Sequence, residues 1–600
     1  MVMNQVTLLC AESFNDVSLL GALTSCPLLK ERGYQTEILY CGDENDVTKE
    51  AGDAVSVIRL KLDSLKEALL ATKTKNLLLS FADKQVLGLL FRLEEIGFLK
   101  EHKIRILGTS LRQYRTFYHQ ADQKSFLQDL GYHVPSSSLV STVREALEFS
   151  EQIQFPIVVW PLASKHGQGR RIANNLDDLC DAVEKGLEVS PQAQCLLELS
   201  TVGFKELEYI VVRDRQDNYY LAGNIESVDP VGIHSSDSYQ VIPSLTLTDT
   251  EHQTLREAAL SIVRHLRLVG ATSIKFALDP KSYQFYILEV NPFASDSFST
   301  MSMALGYSIY HQALCLKLGD HLLDLPHPTM KGLTALFEPT LDRIFFKLPV
   351  FPMEKVTKVL NTQIHSVGAI HGFGTSLEEA YQQAVDNFGS DQWPKNILKD
   401  VSDDELIQRI AKRMPYRFSS ILEAFYRGFE MEEVSDLSRM DPFYLQFLYN
   451  LYLYERQEKD QLCPELKLRP LDLTAGFGQV GEKVSYYTSI CGEDEAPDWS
   501  QCTLLVDRGA PEDSSQILRL IDRLKQEHEK GRKVALLTHR SFAGHTADTC
   551  LRIPLSIYET YQEKINSQFS QVEYLDESKK SFGQDNRSSL FNSIVWIRNG

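Results

Sequence analysis

The chain has 600 residues, of which 43% are hydrophobic and 24% charged, and its formal net charge is −19. A chain this long exceeds one hydrophobic core, so roughly three to five domains are expected, and the acidic balance argues against a nucleic-acid or anionic-membrane partner. Ten scattered cysteines without a CxxC pair suggest neither a zinc cluster nor a disulfide framework. No apolar run approaches the ~18 residues of a membrane span and the N-terminus has no signal-peptide pattern, so a cytoplasmic location is expected.

Residues 1–112 alternate short apolar runs with amphipathic stretches, and Val6–Cys10, Thr36–Tyr40, Asn76–Ser80 and Ile104–Leu107 read as strands. That succession predicts a parallel sheet with helices on both faces. The turn after the first strand reads AESFND (Ala11–Asp16), without the glycines of a phosphate-binding turn. Residues 113–392 read as mixed α/β. Strands are expected at Pro156–Trp160, over Leu197–Arg213 and at Asn218–Asn224, with a hairpin of Ser273–Asp279 and Phe285–Val290.

Residues 393–470 read as all-helical. Ser402 precedes an acidic first turn, SILEAFYRGFEMEEV continues at helical spacing, and Asp441-Pro442 opens another helix. The aromatic face of that last helix is read as core or interface. Residues 471–600 return to α/β, with strands at Thr503–Val506 and Val534–Leu537 flanking a helix over Ser514–Lys530. A faint repeat links Val57–Leu69 with Leu551–Gln562 and makes the C-terminus read as a second, truncated copy of the first domain.

The segment Phe285–Asp296 (FYILEVNPFASD) concentrates the chemistry. Glu289 and Asn291 lie two residues apart, so strand alternation puts both on one face. A carboxylate and an amide oxygen are hard ligands suited to Mg²⁺; the alternative is an ordinary strand end with an Asn-Pro turn. No GxSxG elbow, HExxH helix or P-loop is present.

Asn224–Asp249 (NIESVDPVGIHSSDSYQVIPSLTLTD), with LGTS at Leu107–Ser110, GFKELEYIVVRD at Gly203–Asp214, LEVNP at Leu288–Pro292 and TQIHSVGAI at Thr362–Ile370, resembles the carboxyphosphate-forming half of the carbamoyl-phosphate synthase large subunit. The likeness is nearly collinear to about residue 500. Asp400–Arg456 resembles the family's oligomerisation domain and Leu471–Ser489 its bridge to the second half, which is short here: one ATP-grasp module where the family has two, and no allosteric domain. The resemblance implies an α/β multidomain fold: a pre-ATP-grasp parallel-sheet domain over 1–112, an ATP-grasp α+β module over 113–392, an oligomerisation-like helical domain over 393–470 and a truncated α/β domain over 471–600.

It also implies ATP and Mg²⁺ as cofactors. Carried over position by position, Glu206 takes the ribose with Glu208 beside it. Gly232 and His234 keep the nucleotide-side loop, Gly167 and Gly169 keep two glycines of the phosphate loop, and Glu289 and Asn291 keep two metal positions. The departures share a sign. Gln120, Trp160 and Phe293 stand where the family has basic residues, Asp296 replaces an arginine, Lys275 replaces a metal ligand and Ala369 a glutamate. An ammonium at Lys275 beside Glu289 would take over the electrostatic role of Mg²⁺; the alternative is a solvated strand lysine facing away. Lys165, Arg170 and Arg171 offer replacement charge from the loop, or are plain surface residues.

Two functions follow as expectations. One is a nucleotide-binding protein acting as an ATP-dependent ligase on an unknown carboxylate. The other is a catalytically inactive relative serving as a binding, regulatory or scaffold protein, associating through residues 393–470 with a second copy or with a synthase-like partner.

Overall fold

The computed structural model describes residues 4–456 apart from short segments, the longest of them 50–54, 163–170 and 389–397, and beyond 456 mainly five short strands. The first sheet contains β1 (Asn4–Ala11), β2 (Tyr34–Cys41), β3 (Val55–Ile58), β4 (Asn76–Phe81) and β5 (Arg105–Leu107), all parallel, in the order β3-β2-β1-β4-β5. Alternate residues of β1 serve different cores, Val6, Leu8 and Cys10 one and Leu9 and Ala11 the other, as a parallel sheet covered on both faces requires. The sequence reading passed over β3, an edge strand in which Ser56 and Val57 are exposed.

A four-stranded antiparallel sheet follows: β6 (Ser137–Val140), β7 (Ile157–Pro161), β8 (Arg171–Ala173) and β9 (Cys195–Leu199), in the order β6-β9-β7-β8. Ile157, Val159, Cys195 and Leu197 pack beneath the helices Val143–Ser150 and Leu176–Val189. The expected strand run over Leu197–Arg213 divides between this sheet and the next. Gly203, at φ +95°, sits in the break, where Phe204 N–H donates to Thr201 O at 3.0 Å.

The largest sheet is antiparallel and seven-stranded. It contains β10 (Lys205–Arg213), β11 (Tyr219–Ser227), β12 (Gln240–Ile242), β13 (Gly270–Leu278), β14 (Phe285–Asn291), β15 (Ile344–Val350) and β16 (Gly368–Gly374), in the order β14-β13-β10-β11-β12-β15-β16. On one face Leu207, Tyr209, Val211, Ile274 and Phe276 pack under the helix Asp249–Leu266, which opens with a Thr248–Glu251 capping box. On the other, Ile210, Val212 and Ala271 share a core with the helices Val17–Glu31, Asp296–Leu305 and Ile309–Leu318.

The described residues between 403 and 455 form the helices Asp403–Ala411, Arg417–Tyr426, Met431–Ser438 and Pro442–Glu455. The Ser402 and Asp441 caps form as read, accepting from Glu405 N–H and Phe443 N–H. The single run expected across SILEAFYRGFEMEEV divides at Gly428, whose φ is +89°. Phe447 and Leu448 of the last helix pack with Phe418, Tyr381 and with Phe346 of β15, so this core runs on from the large sheet.

Beyond residue 456, β17 (Cys502–Val506), β18 (Lys533–Leu537), β19 (Thr549–Leu551), β20 (Gln571–Tyr574) and β21 (Trp596–Arg598) form a sheet in the order β20-β17-β18-β19-β21, parallel except at β19–β21. The helix read over Ser514–Lys530 and most of the repeat Leu551–Gln562 lie outside the described residues. Among the described residues no helix is long and apolar enough to cross a membrane.

Candidate functional site

Period-2 alternation builds the site. In β10, Leu207, Tyr209 and Val211 belong to one core, so Glu206 and Glu208 share the opposite face with Ile210 and Val212. In β13, Ile274 and Phe276 are core residues, which leaves Ser273 and Lys275 on the same face as the glutamates. Lys275 therefore does not face away. It lies opposite Glu208 on one side and opposite Glu289 on the other, making a row of glutamate, lysine and glutamate across three adjacent strands. The pairing jumps from Lys275–Glu289 to Phe276–Ile287, and the irregularity at Leu288 keeps Glu289 and Asn291 on one face beside Lys275 and Ser273.

The Lys275 ammonium is 3.9 Å from Glu206 Oε1 and donates to Ser235 Oγ at 3.2 Å. Burial works against its charge, but Glu206, Glu208 and Glu289 together outweigh burial and hold the ammonium above the ordinary lysine range. Burial pushes the Glu206 carboxyl up; Lys275 pulls it back and Glu208 adds to the rise. Glu206 and Glu208 are buried and Glu289 is exposed. Ser297 Oγ donates to Glu208 Oε2 at 2.7 Å, and Ser227 Oγ to Glu206 Oε1 at 3.4 Å.

The loop after β11 brings Gly232 and His234 to this end of the sheet. Gly232 takes φ +122°, and a Cβ there would meet Val202 at 3.3 Å. His234 Nδ1 accepts from Ser236 N–H at 3.1 Å, and His234 N–H donates to Asn361 O at 2.8 Å. Burial, helped by Lys275, lowers the His234 pKa to about 4. Behind the loop, Asp237 accepts from the main-chain N–H groups of His365 and Ser366 and from Ser366 Oγ. Arg417 donates to Asp229 Oδ1 at 3.1 Å, to Ile410 O at 3.0 Å and to Ser438 O.

The substituted positions divide. Phe293 follows Asn291 by two residues, yet it is only 6% exposed and stacks on Tyr114, with ring centroids 5.6 Å apart and an interplanar angle of 9°. Its ring belongs to the hydrophobic core and not to the row of charges. Asn291 Oδ1 accepts from Phe293 N–H at 3.0 Å. Asp296 forms an ion pair with buried Lys347 of β15. Trp160 in β7 is on the sheet face opposite to Ile157 and Val159. Ala369 is buried in β16. Gln120 begins the helix Gln120–Asp129. Arg171 in β8 pairs with Asp181 at 2.9 Å, so its charge is directed to the sheet's own helix. Gly167, Gly169, Lys165 and Arg170 lie outside the described residues.

Ser235, Ser297, Lys347 and Arg417 escaped the sequence reading. For Lys347 the signal was a lone lysine inside the apolar strand IFFKLPV. The two serines and Arg417 carried none, because their partners come from distant parts of the chain.

These donors do not fit a divalent metal ion. Lys275 lies between Glu208 and Glu289 in the strand register with its ammonium 3.9 Å from Glu206 Oε1, so a cation already stands beside the carboxylates, and Asn291 Oδ1 accepts a main-chain hydrogen bond. Among the described residues no group of three His, Cys, Asp or Glu side chains is arranged to hold a metal.

A parallel sheet followed by a small antiparallel sheet and a large antiparallel sheet carrying the polar row is the architecture of an ATP-grasp protein. Residues 120–325 match the carbamoyl-phosphate synthase L chain ATP binding domain, and residues 370–475 match the carbamoyl-phosphate synthetase large chain oligomerisation domain. The arginine-specific carbamoyl phosphate synthase large chain of Geobacillus stearothermophilus is 37% identical over 451 residues, covering 72% of this chain and 42% of that relative. These domains of the chain belong to the carbamoyl-phosphate synthase large-chain family, within the ATP-grasp superfamily. The chain spans less than half the length of this relative. Among solved structures it is similar to a biotin carboxylase–β,γ-ATP complex from Campylobacter jejuni (17% identity, TM-score 0.46, 59% of this chain and 77% of that one). It is also similar to an ADP complex of N5-carboxyaminoimidazole ribonucleotide synthetase (17% identity, TM-score 0.48, 64% and 96%).

Proposed function

We propose that this chain binds a nucleotide in the cleft bounded by Glu206, His234, Lys275 and Glu289, and that it does not make carboxyphosphate. The observation that carries the reading is Lys275 held among three glutamates, where its charge is taken up by carboxylates. Phosphoryl transfer depends on fixed positive charge around the moving group, and one well-placed arginine is worth about 10³-fold or more in rate. Here Lys275 is compensated by carboxylates and Lys347 by Asp296. Phe293, at an arginine position of the family, is committed to the core.

In this reading residues 1–112 are a pre-ATP-grasp domain, 113–392 the nucleotide-binding module and 471–600 a bridge with a second α/β unit. Residues 393–470 are the surface through which the chain meets a second copy or a synthase-like partner in the cytoplasm. A second reading, an ATP-dependent ligase on a carboxylate, draws support from the family match over residues 120–325.

The binding half of the proposal is tested by thermal denaturation with ATP, ADP and AMP, each with and without Mg²⁺. A ligand at 100 times its dissociation constant should stabilise the folded chain by about 2.7 kcal/mol. No shift with any of the six conditions overturns nucleotide binding.

A further inference from the structure

We propose that Lys275 is the resident counter-cation of the acidic end of the cleft and takes the position that a divalent metal ion would need. Glu206, Glu208 and Glu289 share one sheet face, and carboxylate oxygens are the hard donors that Mg²⁺ or Mn²⁺ prefers. The backbone pairing that brings them together also puts Lys275 between two of them, so the ammonium arrives by the same register that assembles the acids. Its Nζ lies 3.9 Å from Glu206 Oε1 and is tethered to Ser235 Oγ at 3.2 Å. A fixed ammonium offsets the carboxylate charge and repels an incoming dication at the same point. The neighbouring amide oxygen, on Asn291, is turned to Phe293 N–H.

The consequence for the ligand rests on the nucleotide reading given above. With one lysine against three glutamates, and Lys347 already paired with Asp296, a polyphosphate stripped of its metal meets more negative than positive charge. The ligand class that fits is a nucleoside or nucleoside monophosphate bound without a bridging metal.

The test uses the full chain and Mn²⁺ alone, followed by electron paramagnetic resonance. Wild type should show no stoichiometric Mn²⁺ site. Lys275→Gln should gain one at least ~10-fold tighter than any wild-type binding, and adding Glu289→Gln should remove it. A stoichiometric wild-type site that weakens in Glu289→Gln overturns the proposal, as does a folded Lys275→Gln protein that gains none. Calorimetry of AMP and ATP on wild type needs no variant: AMP affinity should be equal in EDTA and in Mg²⁺, and ATP binding that appears only with Mg²⁺ overturns the proposal. If no nucleotide binds, the nucleotide reading falls and the Mn²⁺ titration alone decides the role of Lys275.

Discussion

His234 is held neutral at the mouth of the polar row, and its Nδ1 must stay unprotonated to accept the Ser236 N–H. Burial, with Lys275 and Lys347 adding to it, brings its pKa down from 6.5 to about 4. The folded chain therefore binds this proton less tightly than the unfolded chain, and stability rises with pH between those values. The contribution is fully present above 6.5 and is lost as pH falls toward about 4. Thermal melts of wild type and His234→Asn between pH 7 and pH 4 should show wild type losing more stability on acidification, by roughly 3 kcal/mol at most; parallel curves would contradict the neutral imidazole. At this scale the sequence was legible wherever strand alternation ruled. Glu289 and Asn291 fall on one face as their spacing demands, whereas Lys275 and the glutamates of β10 join them only through the register of three strands. Phe293 was not legible, because nothing within FYILEVNPFASD reveals that Tyr114 waits across the core.

The loop carrying Gly232 and His234 is fastened at its start by the helical block. Arg417, at the first position of the helix Arg417–Tyr426, reaches Asp229, and both side chains are almost wholly buried. One guanidinium also satisfies Ile410 O and Ser438 O, which a single ammonium cannot reproduce. Removing it leaves a buried carboxylate without its cation, a change that costs about 3–5 kcal/mol. Arg417→Met should lower the melting midpoint and weaken nucleotide binding together, and Arg417→Lys should recover little of either. Unchanged nucleotide affinity in a folded Arg417→Met protein would show that the clasp serves the helices alone. Helix caps such as Ser402 and Asp441 were readable because their partners lie two or three residues away. The Arg417–Asp229 pair spans 188 residues and only the folded sheet brings it together.

Across the whole molecule, the acidic net charge of −19 accompanies, at the proposed cleft, two lysines paired with carboxylates, Lys275 with Glu206 and Lys347 with Asp296. The pairing is built into the packing. An arginine at position 293 would place a guanidinium in the core against Tyr114, and one at 296 would face Lys347. On the proposed reading, building a transfer site would demand repacking of the core, not a few surface reversions. The parallel sheet of residues 1–112 and the hairpin of Ser273–Asp279 with Phe285–Val290 were legible from the apolar runs, whereas the division of Leu197–Arg213 between two sheets turned on Gly203 and on pairings between strands far apart in sequence.

The most direct test of the account is product analysis with the purified chain, ATP, Mg²⁺, bicarbonate and ammonia. The account predicts no bicarbonate-dependent release of ADP. Bicarbonate-dependent ADP formation that disappears in Glu289→Ala would contradict it.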